Sequence, residues 1–219
     1  MKERNIKARF IRGGSTRYLV EMLEEELTDY ILDGQAFDAD GVRSLRDNAR
    51  HVNTSPFTSY NYYGKGNFAS MLDVAVLGAT EVDVHFNANV VTHSDGYLLH
   101  GIGGWQDCLF GKCVILAIPS FRDRVPVIVY EVTTLCGPGE LIDVVVTERG
   151  IAINPARQDL KKKLSSSSLP LRTLDEIKEE VFDICGGTPM KPKVKKDNVV
   201  AVVKWVDGTL LDSVYQIQK

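Results

Sequence analysis

The sequence lacks the features of membrane proteins, secreted proteins and nucleic-acid-binding proteins. No apolar run approaches the ~20 residues that a membrane-spanning helix needs, and the opening segment MKERNIKARF lacks the apolar core of a signal peptide. The formal net charge is -3, and no basic stripe with interleaved aromatic residues attracts nucleic acid. We therefore expect a cytoplasmic protein with neither a nucleic acid nor a membrane as its partner.

Cysteine and histidine are also scarce, with four of each. No two cysteines form a CxxC pair, and His85, His93 and His100 show neither HxxxH nor HExxH spacing. The sequence therefore indicates no zinc site and no disulfide framework. We expect no bound metal, and we expect the cysteines to be reduced residues that serve packing.

The composition that remains is typical of a globular protein. Of 219 residues, 44% are hydrophobic and 25% are charged, which is enough to bury a sizeable core. We expect a single domain over residues 1–219. Residues 191–219 should form a C-terminal hairpin extension, because Asp207-Gly208 stands between two apolar strand patterns.

Hydrophobic periodicity predicts an α/β fold, with helices on a mostly parallel sheet. One amphipathic helix should begin at Thr16 and include Tyr30, and another should begin at the capping box of Thr173 and Glu176 and end at Gly186. Residues 41–70 show little periodicity and are predicted to form a long loop. Strands are predicted at 72–77 (a buried strand), 114–118, 125–133, 142–147 and 151–153.

In such folds ligands bind at the carboxyl ends of strands, so the turns there are candidate sites. The first such turn contains Gly13, Gly14, Ser15 and Thr16 at the start of a helix. Its backbone N–H groups and hydroxyls could hold an anion or a carboxylate. An ordinary capped turn between a strand and a helix fits the same residues.

A second candidate is the polar segment, residues 78–96, which concentrates acids and amides in one connection. If the chain is extended there, Asn87 and Asn89 face the same side and could bind a carboxylate or a thioester carbonyl. The alternative is that these side chains satisfy turns, as Asn and Asp often do. The polar side chains of the segment are Glu81, Asp83, Asn87, Asn89, Ser94 and Asp95.

The third candidate is the glycine loop, residues 101–104, which reads GIGG. It is not a phosphate-binding P-loop, because the lysine and the hydroxyl that follow the glycines in such loops are absent. Glycines let a ligand approach backbone N–H groups closely, which suits an oxyanion hole for a tetrahedral carbonyl intermediate. A tight turn without a ligand explains the pattern equally well.

The order and wording of these segments resemble the citrate lyase alpha subunit family, the citrate CoA-transferase component. The similarity extends from about Ala8 to the end of the chain. It rests on the long phrases LGATEVD, FNANV, SDG and RGIAINPARQDL, which follow GGSTRYLVEMLEEEL in the family's order. The sequence looks like the second half of that family's polypeptide.

The resemblance implies a CoA-transferase-like, Rossmann-like three-layer domain with an active site between two related halves. It also implies an enzyme that exchanges acetate for citrate on a phosphopantetheine thioester, carried by an acyl carrier protein or by CoA, with no tightly bound cofactor. The implied partners are the acyl carrier protein subunit and the citrate lyase beta subunit, which cleaves the citryl thioester. Because only one half is matched, the other half is expected from a separate N-terminal chain or from a homo-oligomer partner.

The resemblance also assigns roles to particular residues. The glycine loop is expected to line the acyl or oxyanion pocket through Gly101, Gly103 and Gly104, with Asp107 fixing the loop. Substrate contacts are expected from matched positions in the first turn, the polar segment and the NPAR phrase; they are Gly13, Gly14, Ser15, Thr16, Asn87, Asn89, Ser94, Asp95, Asn154 and Arg157. Arg157 could pair with a carboxylate or a phosphate, or serve a helix end.

The sequence departs from the family's pattern at three positions. Ile102 and Trp105 stand where the family has a small hydroxyl residue and a histidine, and Arg17 stands where it has a glycine. For Trp105 we expect a packing role. The Ser-Glu-Asn-Gly type motif of transferases that use a covalent glutamyl thioester is absent, so direct exchange through an acyl anhydride is expected and Glu81 is not assigned as nucleophile.

Two other functions remain open on the sequence. One is a non-catalytic ligand-binding or assembly module on the same fold, which the substituted positions favour. The other is a CoA-transferase that acts on a different carboxylate.

Overall fold

The computed structural model of the protein describes residues 1–60 and 67–218. Its tertiary contacts cluster into two compact units, Met1–Ala69 and Ser70–Lys219. Each unit contains its own sheets. A single domain over residues 1–219 stays a prediction.

The first unit alternates strands and helices. Its elements are β1 (Ala8–Ser15), α1 (Arg17–Glu24), β2 (Thr28–Ala36), α2 (Ala39–Asp47), β3 (His51–Asn53) and α3 (Pro56–Tyr60). The strands form a parallel sheet in the order β1-β2-β3, with Ala8 opposite Thr28 and Ile31 opposite His51. Parallel neighbours need crossover connections, and α1 and α2 provide them.

Helix α1 confirms the start of the first predicted helix but ends before its predicted end. Leu23 is fully buried, as the amphipathic spacing predicts. Glu26 then adopts a left-handed φ of 59°, and the Leu27 N–H donates to the Met22 carbonyl at 2.9 Å, which closes the helix. Tyr30 lies in β2, so its predicted place on the helix was wrong.

The prediction of a long loop at residues 41–70 was also wrong. Its described part contains most of α2 and all of β3 and α3, whereas residues 61–66 lie outside the described residues. Polar side chains are buried here, and His51 Nδ1 lies 3.0 Å from Ser44 Oγ. Apolar periodicity is the signal that predicts secondary structure, so elements that bury polar side chains escape it.

The second unit contains a four-stranded sheet, a three-stranded sheet and two hairpins among its described residues. Its elements are β4 (Ala75–Leu77), β5 (Glu81–Asp83), β6 (Ala88–Asn89), α4 (Trp105–Cys108), β7 (Val114–Ala117), β8 (Phe121–Arg122), β9 (Val125–Pro126), β10 (Ile128–Val129), β11 (Val144–Thr147), β12 (Gly150–Ile153), α5 (Gln158–Leu164), α6 (Leu174–Cys185), β13 (Val194–Lys204) and β14 (Leu210–Ile217).

The four-stranded sheet has the order β12-β11-β7-β4, and its neighbours are parallel except for β11 and β12. The smaller sheet has the order β10-β5-β6 and carries the polar segment. The hydrophobic core includes Leu116 and Val145 of the large sheet together with Ile177 and Val181 of α6, all fully buried. The predicted α/β class with mostly parallel main sheets is therefore confirmed.

Two predicted strands differ from the observed ones. The strand expected to be buried at 72–77 is the edge strand β4, and Val76 on it is 64% exposed. The strand expected at 125–133 is replaced by the short strands β9 and β10, because the chain changes its pairing partner from β8 to β5 between them. The chain after β10 instead supplies contacts to the polar segment, as Thr133 does.

The local signals in the last third of the chain are confirmed. Thr173 and Glu176 form a reciprocal capping box at the start of α6, and Gly186 ends the helix with a left-handed φ of 93°. The hairpin of β13 and β14 turns at Gly208, where the Trp205 N–H donates to the Thr209 carbonyl at 2.8 Å. These signals involve residues within a few positions of each other, so no distant contact is needed to realise them.

The described residues 1–60 and 67–218 include all four cysteines of the chain. All four cysteines are free, and burial raises the pKa of the Cys136 thiol to about 11. No group of three or more metal-ligating side chains occurs among these residues. None of the helices found there is both long enough and apolar enough to cross a membrane.

Replacing Thr173 with alanine should lower the free energy of unfolding by about 1 kcal/mol, because the hydroxyl accepts a hydrogen bond from the Glu176 N–H at 3.2 Å. Urea unfolding monitored by circular dichroism measures the change. Thr188→Ala is the matched control, since Thr188 is exposed and outside any helix. Equal stability of the two variants would contradict the capping role.

Candidate functional site

The predicted site residues fall into two groups, one in each unit. The larger group lies in the second unit, where the polar segment is organised around the buried carboxylate of Glu81, which is 2% exposed. One carboxylate oxygen accepts hydrogen bonds from Asn89 Nδ2 at 2.9 Å and from the Thr133 N–H at 2.7 Å. The other accepts one from Thr133 Oγ1 at 3.0 Å. These three hydrogen bonds, from Asn89 and Thr133, give Glu81 a structural role.

Asn89 is fully buried and uses both ends of its amide within the protein. Besides its bond to Glu81, its Nδ2 donates to Thr92 Oγ1 at 2.9 Å. Its Oδ1 accepts bonds from the N–H groups of Val91 and Thr92, each at 3.2 Å. The contacts match the alternative in which amides satisfy turns, and a substrate contact by Asn89 stays a prediction.

Asn87 is half-buried and joins two loops. Asp83 accepts hydrogen bonds from the Asn87 N–H at 3.0 Å and from Asn87 Nδ2 at 3.1 Å. On its other side, Asn87 Oδ1 accepts a bond from the Gly139 N–H at 2.9 Å. An added Cβ at Gly139 would overlap the His85 carbonyl, so the two loops can approach this closely only if residue 139 is glycine.

Ser94 and Asp95 lie in a surface turn at the end of the polar segment. Asp95 Oδ1 accepts a hydrogen bond from the Tyr97 N–H at 3.0 Å, and Gly96 has a left-handed φ of 86°. Asp95 is exposed and Ser94 is half-buried. The substrate role of Ser94 and Asp95 stays a prediction.

The glycine loop is anchored to the polar segment on both sides. Before the loop, the Leu99 N–H donates to the Val91 carbonyl at 2.7 Å. After it, Trp105 Nε1 donates to the Gly78 carbonyl at 2.9 Å, and the buried Gln106 donates from Nε2 to the Cys136 carbonyl at 2.9 Å. The loop is therefore hydrogen-bonded to other parts of the second unit on both of its sides.

Within this loop, Gly101 and Gly103 are exposed, and Gly103 has a left-handed φ of 61°. Apart from each glycine and its two chain neighbours, no described atom lies within 4 Å of a Cβ added at either position, so the space on that side of the backbone is open. Gly104 and Asp107 lie at the start of the short helix α4, as its N-cap and in its first turn. The predicted acyl or oxyanion role of these residues stays a prediction.

Trp105 has the packing role that we expected. Its ring contacts the hydrophobic core, and an added Cβ at Gly137 would lie 2.6 Å from it. Together with the Nε1 hydrogen bond to Gly78, this contact holds the end of the glycine loop.

Asn154 and Arg157 stabilise the turn between β12 and α5. Asn154 Nδ2 donates to the carbonyls of Gly139 and Ile142, each at 2.8 Å. Arg157 Nη1 lies 2.6 Å from Asp143 Oδ1, and Arg157 Nε lies 2.9 Å from Asp159 Oδ1.

The hydrogen bond from Arg157 lowers the pKa of Asp159 to about 2. Because two carboxylates already pair with Arg157, the structure favours the structural alternative for its guanidinium. A substrate contact by Asn154 or Arg157 stays a prediction.

The smaller group of predicted residues is the first turn, in the first unit. Ser15 is fully buried and bonds to Asp33, its Oγ at 2.8 Å and its N–H at 3.2 Å. Asp33 also accepts the Gln35 N–H at 2.9 Å, and His51 Nε2 lies 3.3 Å from its other oxygen. Ser15 thus holds the turn to β2 and β3.

The N-terminus of α1 already holds a carboxylate from the protein. Asp38 accepts hydrogen bonds from the Gly41 N–H at 2.8 Å and the Arg17 N–H at 2.7 Å, and these bonds hold its pKa below the usual value. Thr16 is the N-cap of α1 and makes no side-chain cap bond. The position predicted to attract a ligand anion is therefore occupied by Asp38.

The glycines of the first turn differ in what surrounds them. Gly13 has a φ of 144°, and no described atom lies within 4 Å of an added Cβ. A Cβ at Gly14 would overlap the Phe37 ring, so Gly14 serves packing. A substrate contact by these glycines stays a prediction.

Sequence reasoning missed the residues that hold the site, among them Asp33, Asp38 and Gln106. Each of them binds a residue that is distant in sequence, up to 30 positions away for Gln106 and Cys136. An isolated Asp or Gln shows no pattern of spacing, so only the folded chain identifies these partners.

Replacing Asn89 with alanine should lower the free energy of unfolding by about 3 kcal/mol. The substitution removes a hydrogen-bond donor to buried Glu81 and also the acceptor of the Val91 and Thr92 N–H groups. Chemical denaturation measures the loss. The control is Asn198→Ala, since Asn198 is exposed and its side-chain amide donates to Gln216 Oε1 across the hairpin. A loss as small as that of the control would contradict the network.

The chain is similar to known proteins over nearly its whole length. The family model for citrate lyase, alpha subunit (CitF), matches residues 1–217. The citrate lyase alpha chains of Haemophilus influenzae and Klebsiella pneumoniae are 38% identical over 221 residues and 39% identical over 219 residues. Both alignments cover 100% of this chain and 43% of the relative, so the chain spans less than half the length of these curated relatives.

Solved structures give the same result. One described as the alpha subunit of citrate lyase from Streptococcus mutans in complex with citrate has a TM-score of 0.94 and 39% identity, covering 100% of this chain and 43% of that one. RipA from Yersinia pestis shares only the fold, with a TM-score of 0.54 and 15% identity over 81% of this chain and 43% of its own. The match over residues 1–217 and the identity to these relatives show that this chain belongs to the citrate lyase alpha subunit family.

Proposed function

We propose that this chain provides part of a citrate CoA-transferase, which exchanges acetate for citrate on an acyl thioester within a citrate lyase complex. Membership of the citrate lyase alpha subunit family supports the reaction class, and the citrate complex of the Streptococcus mutans relative supports the substrate. The observation that carries the proposal is the glycine loop, which includes the exposed residues Gly101 and Gly103 and is flanked on both sides by hydrogen bonds to the polar segment.

The reaction needs stabilisation of two successive tetrahedral intermediates. A citrate carboxylate attacks the carbonyl of the acetyl thioester, and the carrier thiolate leaves as a mixed anhydride forms. The thiolate then attacks the citryl carbonyl of this anhydride, which releases acetate and leaves citrate on the carrier. At both steps, negative charge develops on a carbonyl oxygen that backbone N–H groups can stabilise.

The glycine loop suits this chemistry because its donors belong to the backbone. At Gly101 and Gly103 a Cβ is lacking where an acyl group would approach, and the anchors at Val91 and Gly78 limit movement of the loop. Donors that are already in place need little reorganisation as charge develops. In this proposal, the polar side chains around Glu81 hold the backbone to which the start of the glycine loop is hydrogen-bonded.

The co-substrate that we propose is a phosphopantetheine thioester, on an acyl carrier protein or as CoA. The proposed partners are the acyl carrier protein and the beta subunit of citrate lyase. Because the chain spans 43% of its curated relatives, the exchange reaction is proposed for this chain together with the remaining part of such a subunit.

Replacing Gly103 with valine should lower the rate of acyl exchange about 100-fold, because a side chain would block the backbone donors and disfavour the left-handed conformation. The assay combines this chain, the part of a curated relative's alpha chain that it does not match, labelled acetyl-CoA or acetyl carrier protein, and citrate. The release of labelled acetate is measured.

Gly186→Val is the matched control. Gly186 also has a left-handed φ, and no described atom lies within 4 Å of its added Cβ, but it ends α6. It should cause comparable strain and leave the exchange rate nearly unchanged. Equal losses in both variants would refute the role of the glycine loop, whereas citrate binding without any exchange would favour a ligand-binding or assembly module.

A further inference from the structure

Arg12 carries hydrogen-bond donors that the first unit leaves without acceptors. Its Nε and Nη2 atoms are shielded from solvent, and neither has a hydrogen-bond partner among the described residues. None of the ion pairs of residues 1–60 and 67–218 includes Arg12. Buried charged donors without acceptors destabilise a protein, so such a residue calls for an acceptor from elsewhere.

The unpaired donors form one edge of the guanidinium plane. Nε–H and one N–H of Nη2 point the same way, in the fork geometry that binds both oxygens of a carboxylate through parallel hydrogen bonds. The opposite edge is occupied, because Nη1 donates to the hydroxyl of Tyr60. The Tyr60 ring also lies against the guanidinium, with its centroid 3.9 Å from Cζ. Tyr60 therefore fixes the orientation of the free edge.

The backbone beside this edge is irregular. The pairing of β1 with β2 shifts between Gly13 and Gly14, which face Asp33 and Gln35, so that Gly34 is left over as a bulge. A Cβ added at Gly34 would lie 3.4 Å from Arg12 Nη2. Bulges are rare in parallel strands. Bulges in general are over-represented next to active sites.

Asp33 and Asp38, the carboxylates that bond to the first turn and to the start of α1, already have hydrogen-bond partners. Asp33 binds Ser15 and Gln35, and Asp38 binds the N–H groups of Arg17 and Gly41. A carboxylate that pairs with Arg12 must therefore come from outside this turn.

We propose that Arg12 binds one carboxylate of a polycarboxylate ligand through Nε and Nη2. The inference rests on the proposed function for the class of ligand, since citrate is the substrate proposed there, and it places the carboxylate site within the first unit alone. Arg12 acts by binding this ligand and takes no part in covalent steps.

The test compares Arg12→Lys with Arg9→Lys by isothermal titration calorimetry of the full chain with citrate, propane-1,2,3-tricarboxylate, malonate and inorganic phosphate. Arg9 is the control because it is an exposed arginine on the same strand. Lysine keeps the charge but loses the fork, so Arg12→Lys should weaken citrate binding at least about tenfold. Arg9→Lys should bind citrate as the unchanged chain does.

A second variant leaves Arg12 in place. Gly34→Ala adds a methyl group at ordinary contact distance from Nη2, which narrows access to the free edge. It should reduce citrate affinity several-fold without lowering the melting temperature by more than a few degrees. The variant therefore tests the site even if Arg12→Lys folds poorly.

The outcomes separate the inference from the proposed function. Citrate binding that is equal in the unchanged chain, Arg12→Lys and Gly34→Ala overturns the carboxylate site and leaves the proposed function intact. Arg12-dependent binding of malonate without citrate binding supports the carboxylate site and contradicts citrate as its ligand. Binding of phosphate alone, or of none of the four probes, overturns the inference.

Discussion

The buried carboxylate of Glu81 is the constraint on which the second unit's candidate site depends. A carboxylate that is 2% exposed must have several partners, and here it has Asn89 and Thr133. Asn89 in turn holds the backbone of Val91 and Thr92, and Val91 anchors the start of the glycine loop. Side chains that the sequence suggested for substrate binding thus bond to other groups of the protein, whereas Gly101 and Gly103 of the glycine loop are exposed.

The first unit follows the same rule with a different result. Asp33 binds the turn at Ser15, and Asp38 occupies the N-terminus of α1. After these carboxylates are accounted for, the guanidinium edge of Arg12 is the donor group of the turn that lacks acceptors among the described residues. The ligand proposal for Arg12 depends on these two donor atoms without acceptors, and not on an unusual residue type.

Some predictions from sequence held because they depended on neighbouring residues. The capping box at Thr173, the end of α6 at Gly186 and the turn at Gly208 each need only a few consecutive residues. Predictions failed where burial did not follow apolar periodicity. The elements between residues 39 and 60 bury Ser44 and His51, and the strand expected to be buried at 72–77 lies at a sheet edge, because strand order is decided by distant pairings.

The amino-acid sequence by itself determined the α/β class, the local ends of helices and hairpins, and the resemblance to the citrate lyase alpha subunit family. The tertiary structure alone decided which polar residues are occupied by internal partners and which are left open. The physical reason is that a hydrogen-bond partner can lie anywhere in the sequence. Thr133 is 52 positions from Glu81, and Tyr60 is 48 positions from Arg12, so the role of each residue is set only when the folded chain brings the pair together.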